Sequence, residues 1–406
     1  MEQISASANL NHALRRVKRN KGCAGVDRLD ITATISKLRQ ASNGQALRQS
    51  LLDGSYQPQP VLGIEIPKTN GGVRQLGIPT VLDRIVQQAI TSVLSDIYEP
   101  KFSNSSYGFR PNRSAHHALA AASRYIREGR GYVVDIDLAK YFDTVNHDRL
   151  MHRLSKDIID KRVLKLIRAY LQAGLMRDGL VERRQRGTPQ GGPLSPLLSN
   201  IVLDELEEAA YRVKESITEF LEQKLKLTVN REKSAATRVP ERGYLSHSFK
   251  IDGTLLISKS AQAQMKKRVR RITKRNRGRE LSVIITELTQ YLRGWQHYFK
   301  LAIGRSAMQR LDEWIRRRLR CYRLKQRKRR YSIATWLQRQ GVTERNAWKL
   351  AMSDKGWWHL ALSPQVNHAM PIKWFEERGL YSLRDGYESL KVYSEPPYAT
   401  HACTVV

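Results

Sequence analysis

Between residues 197 and 239 the chain contains neither glycine nor proline, and no other feature limits its fold as strongly. The stretch is entered through "LSPLLSNIVLDELEEAAYRVKESITEF", in which Ser195 supplies a helix N-cap and Pro196 a pre-set first helical residue. From Val202 the apolar positions recur at Leu206, Ala209, Val213, Ile217, Phe220 and Leu221, three or four apart. With no breaker before Asn230, the spacing predicts one helix over about residues 196–227, roughly 48 Å at 1.5 Å per residue. Such a rod is long for a compact domain and leaves no room for a strand or turn between its halves.

Ahead of it the sequence is mixed. Short helices are expected around "NKGCAGVD", and then "PVLGIEIPKTNGGVRQLGIP" alternates apolar and polar residues on both sides of Asn-Gly, the strongest short-range hairpin signal. Lys68 and Arg74 stand on its two arms, where cross-strand cations can converge on a phosphate chain, although solvated charge is the plainer reading. "GYVVDIDLAKYFDTVNH" predicts a buried strand at residues 132–136. It ends in Asp135 and Asp137, two apart and therefore on one face. Paired carboxylates there suit a hard cation such as Mg²⁺, or simply cap the strand. Helices are expected over residues 149–175. "RGTPQGGPLSP" is a glycine-rich loop opening a helix, open to a close ligand or merely a tight turn; only Gln190 within it is not explained by a turn.

Charge points to the partner. The chain carries 71 Lys+Arg against 38 Asp+Glu, a net +33, which favours a polyanion but names no chemistry. Residues 261–330 hold 23 Lys/Arg and 4 Asp/Glu, so one region is the expected footprint. In "YLRGWQHYFK" and "RLDEWIRRRLRCYRLKQRKRR" the aromatics Trp295, Tyr298, Phe299, Trp314 and Tyr322 fall at helical spacing and are expected in a core. The arginines outnumber any nearby acids and are expected on a nucleic-acid surface. Cys23, Cys321 and Cys403 form no paired motif, which argues against a disulfide framework or structural zinc. No apolar run approaches membrane-spanning length, so a soluble intracellular protein with no membrane partner is expected.

Taken in order, "NKGCAGVD", "IPKTNGGVRQLGIPTVLDRIVQQAI", "FSNSSYGFRPNRSAHHAL", "VVDIDLAKYFDTVNHDRL", "RGTPQGGPLSPLLSNIVLDEL", "LKLTVNREKS" and "YLRGWQHYFK…RLDEWIRRRLR" resemble a group II intron reverse transcriptase/maturase. The resemblance covers most of residues 10–330. It implies an α+β right-hand polymerase of fingers and palm, here with an incomplete palm sheet, followed by an all-helical thumb/maturase domain. The expected segments are 1–55, an N-terminal helical extension; 56–258, fingers and palm; 259–330, thumb/maturase; and 331–406, an extension to which the sequence assigns no role. It further implies that Asp137, with Asp135 beside it, binds Mg²⁺. By the same resemblance Lys68, Arg74 and Gln190 hold the incoming nucleotide, Phe142 excludes a ribose 2′-hydroxyl, and Lys233 protonates the leaving pyrophosphate. Arg293, Arg316, Arg317, Arg320, Arg323 and Lys325 are implied to bind intron RNA or the template/primer duplex, in a cytoplasmic ribonucleoprotein. No zinc or His-Asn-His pattern is present, so no endonuclease domain is expected.

The long helix now has a meaning. The family carries a Tyr-Ala-Asp-Asp hairpin between "LSPLLSNIVLDEL" and "LKLTVNREKS", and this chain contains no Asp-Asp dipeptide. Two strands and their connectors need roughly twenty to thirty residues that are missing. The expectation is an RNA-binding maturase-type protein that has lost polymerisation, with a defective deletion product or a still active polymerase as alternatives.

Overall fold

The computed structural model describes the chain except residues 41, 68–71, 139–140, 178, 183, 189–190, 210–234, 303 and 395–406. In chain order the elements of the first half are α1 (Glu2–Ser5), α2 (Ser7–Arg19), α3 (Ile31–Arg39), α4 (Asn43–Leu52), β1 (Val61–Pro67), β2 (Val73–Ile78), α5 (Val81–Tyr98) and α6 (Ala115–Arg127). Next come β3 (Tyr132–Asp135), α7 (Tyr141–Thr144), α8 (His147–Asp157), α9 (Lys161–Gln172), β4 (Leu175–Arg177), β5 (Leu180–Glu182) and α10 (Ser195–Ala209). The second half holds β6 (Ala235–Arg238), β7 (His247–Phe249), β8 (Leu255–Ile257), α11 (Lys259–Ile272), α12 (Leu281–Tyr298), α13 (Arg305–Arg327) and α14 (Arg330–Arg339). It closes with α15 (Glu344–Ala351), α16 (Trp357–Leu360), α17 (Pro364–Ala369), α18 (Ile372–Glu376) and α19 (Leu383–Ser394).

The chain divides into two compact units, Met1–Ala118 with Tyr132–Thr237, and Leu119–Gly131 with Arg238–Val406. The core of the first unit forms around α5, whose Val81, Ile85, Val86, Ala89, Ile90 and Leu94 are buried. Fully burying such a side chain is worth about 1.5–3 kcal/mol, which makes α5 the main organiser. The N-terminal helices share that core through Ile4, Ala13, Val17 and Leu51. Thr80 caps α5 by accepting from Asp83 N at 3.0 Å. Asp83, itself buried, accepts from Thr80 Oγ1 at 2.7 Å, Tyr56 OH at 2.9 Å and Tyr170 OH at 3.2 Å.

The expected hairpin is present: β1 and β2 pair antiparallel with Ile66 opposite Arg74, and residues 68–71 between them lie outside the described residues. The sheet runs β2-β1-β4-β5, with β4 parallel to β1. α9 ends at Gln172, three residues before the end of the expected helical run, and β4 and β5 follow it as an antiparallel pair, with Gly179 between them at φ +83. β3 pairs with β6, its one partner among the described residues. α10 begins at Ser195, which lies within the helix and one residue before the expected first helical position at Pro196, and is followed to Ala209. The remainder of the helix expected over residues 196–227 lies outside the described residues.

The second unit is helical apart from the β7–β8 hairpin. Its core joins Met265, Val269, Leu288, Leu292, Leu319 and Tyr322 to Trp336, Val366 and Phe375, so residues 331–394 fold with the basic helices. Asp312 on α13 accepts from Leu383 N and Arg384 N, each at 3.0 Å, and so holds the start of α19.

A pH-dependent contribution arises at Asp160, the N-cap of α9. The Arg162 guanidinium, donating at 2.8 Å, holds its carboxyl well below the ordinary value of 3.8. A depressed folded pKa gives stability that is complete above the unfolded value and fades as pH falls through the folded one. The urea midpoint of Asp160→Asn should therefore differ most from the native protein near neutrality, and the gap should shrink once pH drops below 3.8.

Candidate nucleic-acid interface and the aspartate strand

In the first unit Asp135 closes β3 and Asp137 follows it; both are half-buried. Phe142 sits on the short α7, its ring edge-on to Tyr141 at 5.5 Å between centroids. Tyr141 OH donates to Ser199 O at 2.9 Å, which ties this turn to α10. The glycine-rich loop is woven into the same place. Thr188 N donates to Phe142 O at 2.6 Å, Gly187 N to Val145 O at 2.8 Å, and His147 Nε2 lies 2.7 Å from Gly187 O.

These contacts explain the loop's glycines. A Cβ at Gly187, where φ is +84, would lie 2.7 Å from Phe142 O, and one at Gly191 (φ +130) 2.4 Å from Gly77 O on β2. No side chain fits at either position, so the glycines serve close packing of the chain on itself. The same packing gathers the Phe142 turn, the loop around Gln190 and the strand that carries Arg74. Gln190, Lys68 and Lys233 lie outside the described residues, as does the Arg74 side chain. Beside this turn Arg184 is held below its usual pKa by burial, while the Asp143 carboxylate works the other way.

Reverse transcriptases use divalent metal ions, which places a demand on the donor set. Two-metal phosphoryl transfer needs several carboxylates converging on ions about 4 Å apart. Among the described residues no group of three or more His, Cys, Asp or Glu is placed to hold a metal ion. Asp135 and Asp137 alone do not fit that centre.

The second unit presents cations, though not always where the sequence suggested. Arg293 and Lys325 are exposed, and Arg293 lies 5.4 Å from the Tyr381 ring centroid. Arg316 is half-buried. Arg317 stacks on Trp358 at 3.9 Å and donates to its carbonyl through Nε and Nη2, at 3.1 and 2.9 Å. Arg323 is half-buried near Trp336 at 5.9 Å, and burial lowers its pKa. Arg320 corrects the expectation: it is 7% exposed, and its Nε and Nη2 donate inward to Met370 O at 3.1 and 2.7 Å. It is a core group and not part of a surface footprint.

An exposed basic stripe runs along α11 and just beyond it, where Lys259, Lys267, Arg271 and Lys274 all face solvent. Among the described residues none of them makes a salt bridge. Lys267, Arg271 and Lys274 belong to the charge surplus of residues 261–330, with Lys259 just before it, but the denser arginines of α13 mask them in the sequence. On α2, Arg15, Arg16, Lys18 and Arg19 are also exposed.

Comparison with known proteins gives two family matches. A model described as "Reverse transcriptase (RNA-dependent DNA polymerase)" matches residues 66–221, and one described as "Group II intron, maturase-specific domain" matches residues 262–341. "Protein YkfC" of Escherichia coli (strain K12) is 42% identical over 205 residues, 49% of this chain and 53% of that protein. "Group II intron-encoded protein LtrA" of Lactococcus lactis subsp. cremoris is 38% identical over 206 residues, 50% of this chain and 33% of its own length. The chain thus spans about half of the first relative and a third of the second. A chain of the solved "Partial Cas6-RT-Cas1–Cas2 complex" aligns over 51% of this chain and 34% of its own at 24% identity, with a TM-score of 0.36. Among the described residues no helix is long and apolar enough to cross a membrane.

Proposed function

Because the chain belongs to the group II intron reverse transcriptase/maturase family, we propose that it binds structured intron RNA and assists splicing or mobility without copying RNA into DNA. One observation carries the RNA reading. The maturase-specific match at residues 262–341 falls on the helices whose Lys267, Arg271 and Lys274 are exposed and free of salt bridges among the described residues. Phosphates neutralised by such cations release counterions, which gives affinity without sequence reading.

Loss of polymerisation is supported by the absence of an Asp-Asp dipeptide and by a described carboxylate set that stops at Asp135 and Asp137. Lys68, Arg74, Phe142 and Gln190, with Lys233 as the proton donor, then persist as family residues around an incomplete catalytic set. Residues 56–258 supply the fingers-and-palm body and 259–330 the main RNA grip. The reverse-transcriptase match favours a second reading, a polymerase still active through other carboxylates.

The binding reading is tested by titrating a structured intron RNA at several salt concentrations. Log K should fall linearly with log salt. A salt-independent affinity would remove the electrostatic footprint and the proposal with it.

A further inference from the structure

A cavity of about 320 Å³ opens in the second unit between the end of α11, α13 and α16, lined by Arg270, Arg275, Arg318, Thr273, Trp314 and Trp358. Its chemistry is one-sided. Three guanidiniums and two indoles meet there, and no carboxylate is among the described residues that line it. The site is also built rather than incidental. Arg318 Nε donates to Thr273 Oγ1 at 2.6 Å, and its Nη2 lies 3.4 Å from Arg270 O, which fixes the guanidinium. Thr273 is 1% exposed, and its own hydroxyl donates to Val269 O at 2.7 Å. Arg275 Nη1 reaches the buried Cys321 Sγ at 3.6 Å. Arg270 and Arg318 lie 5.8 and 5.6 Å from the Trp314 ring, and Arg317 is stacked on Trp358.

Like charges held this close repel one another, and an anion in the cavity would relieve that. Burial holds Arg318 below its usual pKa; Cys321 works the other way, and the charges of Arg270 and Arg275 add to the lowering. The volume is at the low end for ligand sites, about 300–1,000 Å³, which admits a single nucleotide and excludes a duplex. Trp358 remains 39% exposed even beneath Arg317, so the arginine–indole pair presents a flat surface of the kind on which unpaired bases stack.

We propose that this cavity captures one unpaired nucleotide of the bound RNA, its phosphodiester on Arg270, Arg275 and Arg318 and its base against Trp314 and Trp358. The inference rests on the RNA-binding reading and deepens it. Exposed cations on α11 grip the phosphate backbone of any structured RNA, whereas the cavity selects a strand with a base free to leave the stack.

The test uses the full chain, a short oligouridylate and a blunt RNA duplex. Trp358→Ala and Arg275→Gln should each weaken oligouridylate binding about tenfold, the scale of one stacked base, and leave duplex affinity within about twofold. Arg275 is exposed, so its variant keeps the test open should Trp358→Ala misfold. Equal losses on both RNAs, or none on the oligouridylate, would overturn the cavity and leave RNA binding standing. Native protein that binds neither RNA would overturn the underlying reading together with the cavity. Tryptophan quenching by uridine monophosphate should occur at far lower concentration than quenching by inorganic phosphate. Equal potency would mean a bare anion site and sink the nucleotide assignment.

Discussion

Replacing Lys259, Lys267, Arg271 and Lys274 together by glutamine lowers affinity for structured RNA by about a hundredfold at low salt and flattens its salt dependence. Each phosphate left without its cation takes roughly 0.7–0.9 from the slope of log K against log salt, so removing all four charges takes about three. All four residues are exposed, and among the described residues none is in a salt bridge, so the substitutions leave no carboxylate stranded. Substitutions at exposed positions of this kind usually change stability by no more than about 0.5 kcal/mol. The control is α2: Arg15, Arg16, Lys18 and Arg19 replaced alike should cost less, because the maturase-specific match covers residues 262–341 and not α2. Filter-binding or fluorescence anisotropy at several salt concentrations measures both quantities. An unchanged slope would place the footprint elsewhere.

Arg320→Ala, in the middle of the same arginine run, should instead act on stability, costing roughly 2–4 kcal/mol. The guanidinium is enclosed, and burial pushes its pKa down to about 10. It stays charged at neutral pH and supplies two bonds to Met370 O, a carbonyl on a fully buried residue. Phe375, 5.5 Å from the guanidinium, packs over it. Truncation leaves the carbonyl without these donors and opens a hole under Phe375, both among the named causes of large losses. Arg320→Lys should recover only part of the loss, because an ammonium cannot reproduce the planar fork. All 7 tryptophans lie in residues 295–374, so urea denaturation followed by tryptophan fluorescence reports on this unit alone. Lys325→Ala, at an exposed position, should leave the midpoint nearly unmoved. A shift as small for Arg320→Ala would return that residue to the surface.

These two cases show what a sequence can carry. The β1–β2 hairpin, the start of α10 near Pro196 and the strand ending in Asp135 were legible because each is written in local chemistry: a turn dipeptide, a helix-start pair, a β-branched run. The strand is not buried as expected, since Tyr132 is 72% exposed. The β4–β5 hairpin was equally local, with Asp178-Gly179 between short apolar runs in the sequence, but strands of three residues are too short to show an alternation. Arg320 could not be found that way. Its partner is Met370, and the partners of Asp312 are Leu383 and Arg384, so their inward orientation is decided by contacts far along the chain. The same distance hides the attachment of residues 119–131 to the second unit, where Ser123 Oγ donates to Gly253 O at 2.7 Å. It also hides the nucleotide-sized cavity, since Trp358 lies in a segment to which the sequence alone assigned no role.

The most direct measurement is primer extension on an annealed RNA template with Mg²⁺ and, separately, Mn²⁺, run beside an RNA-binding titration of the same preparation. Salt-sensitive RNA binding and no extension product are expected, with native protein and Asp137→Ala indistinguishable in the extension assay. Processive synthesis by the native chain that Asp137→Ala abolishes would contradict it, and would mean that other carboxylates complete the catalytic set.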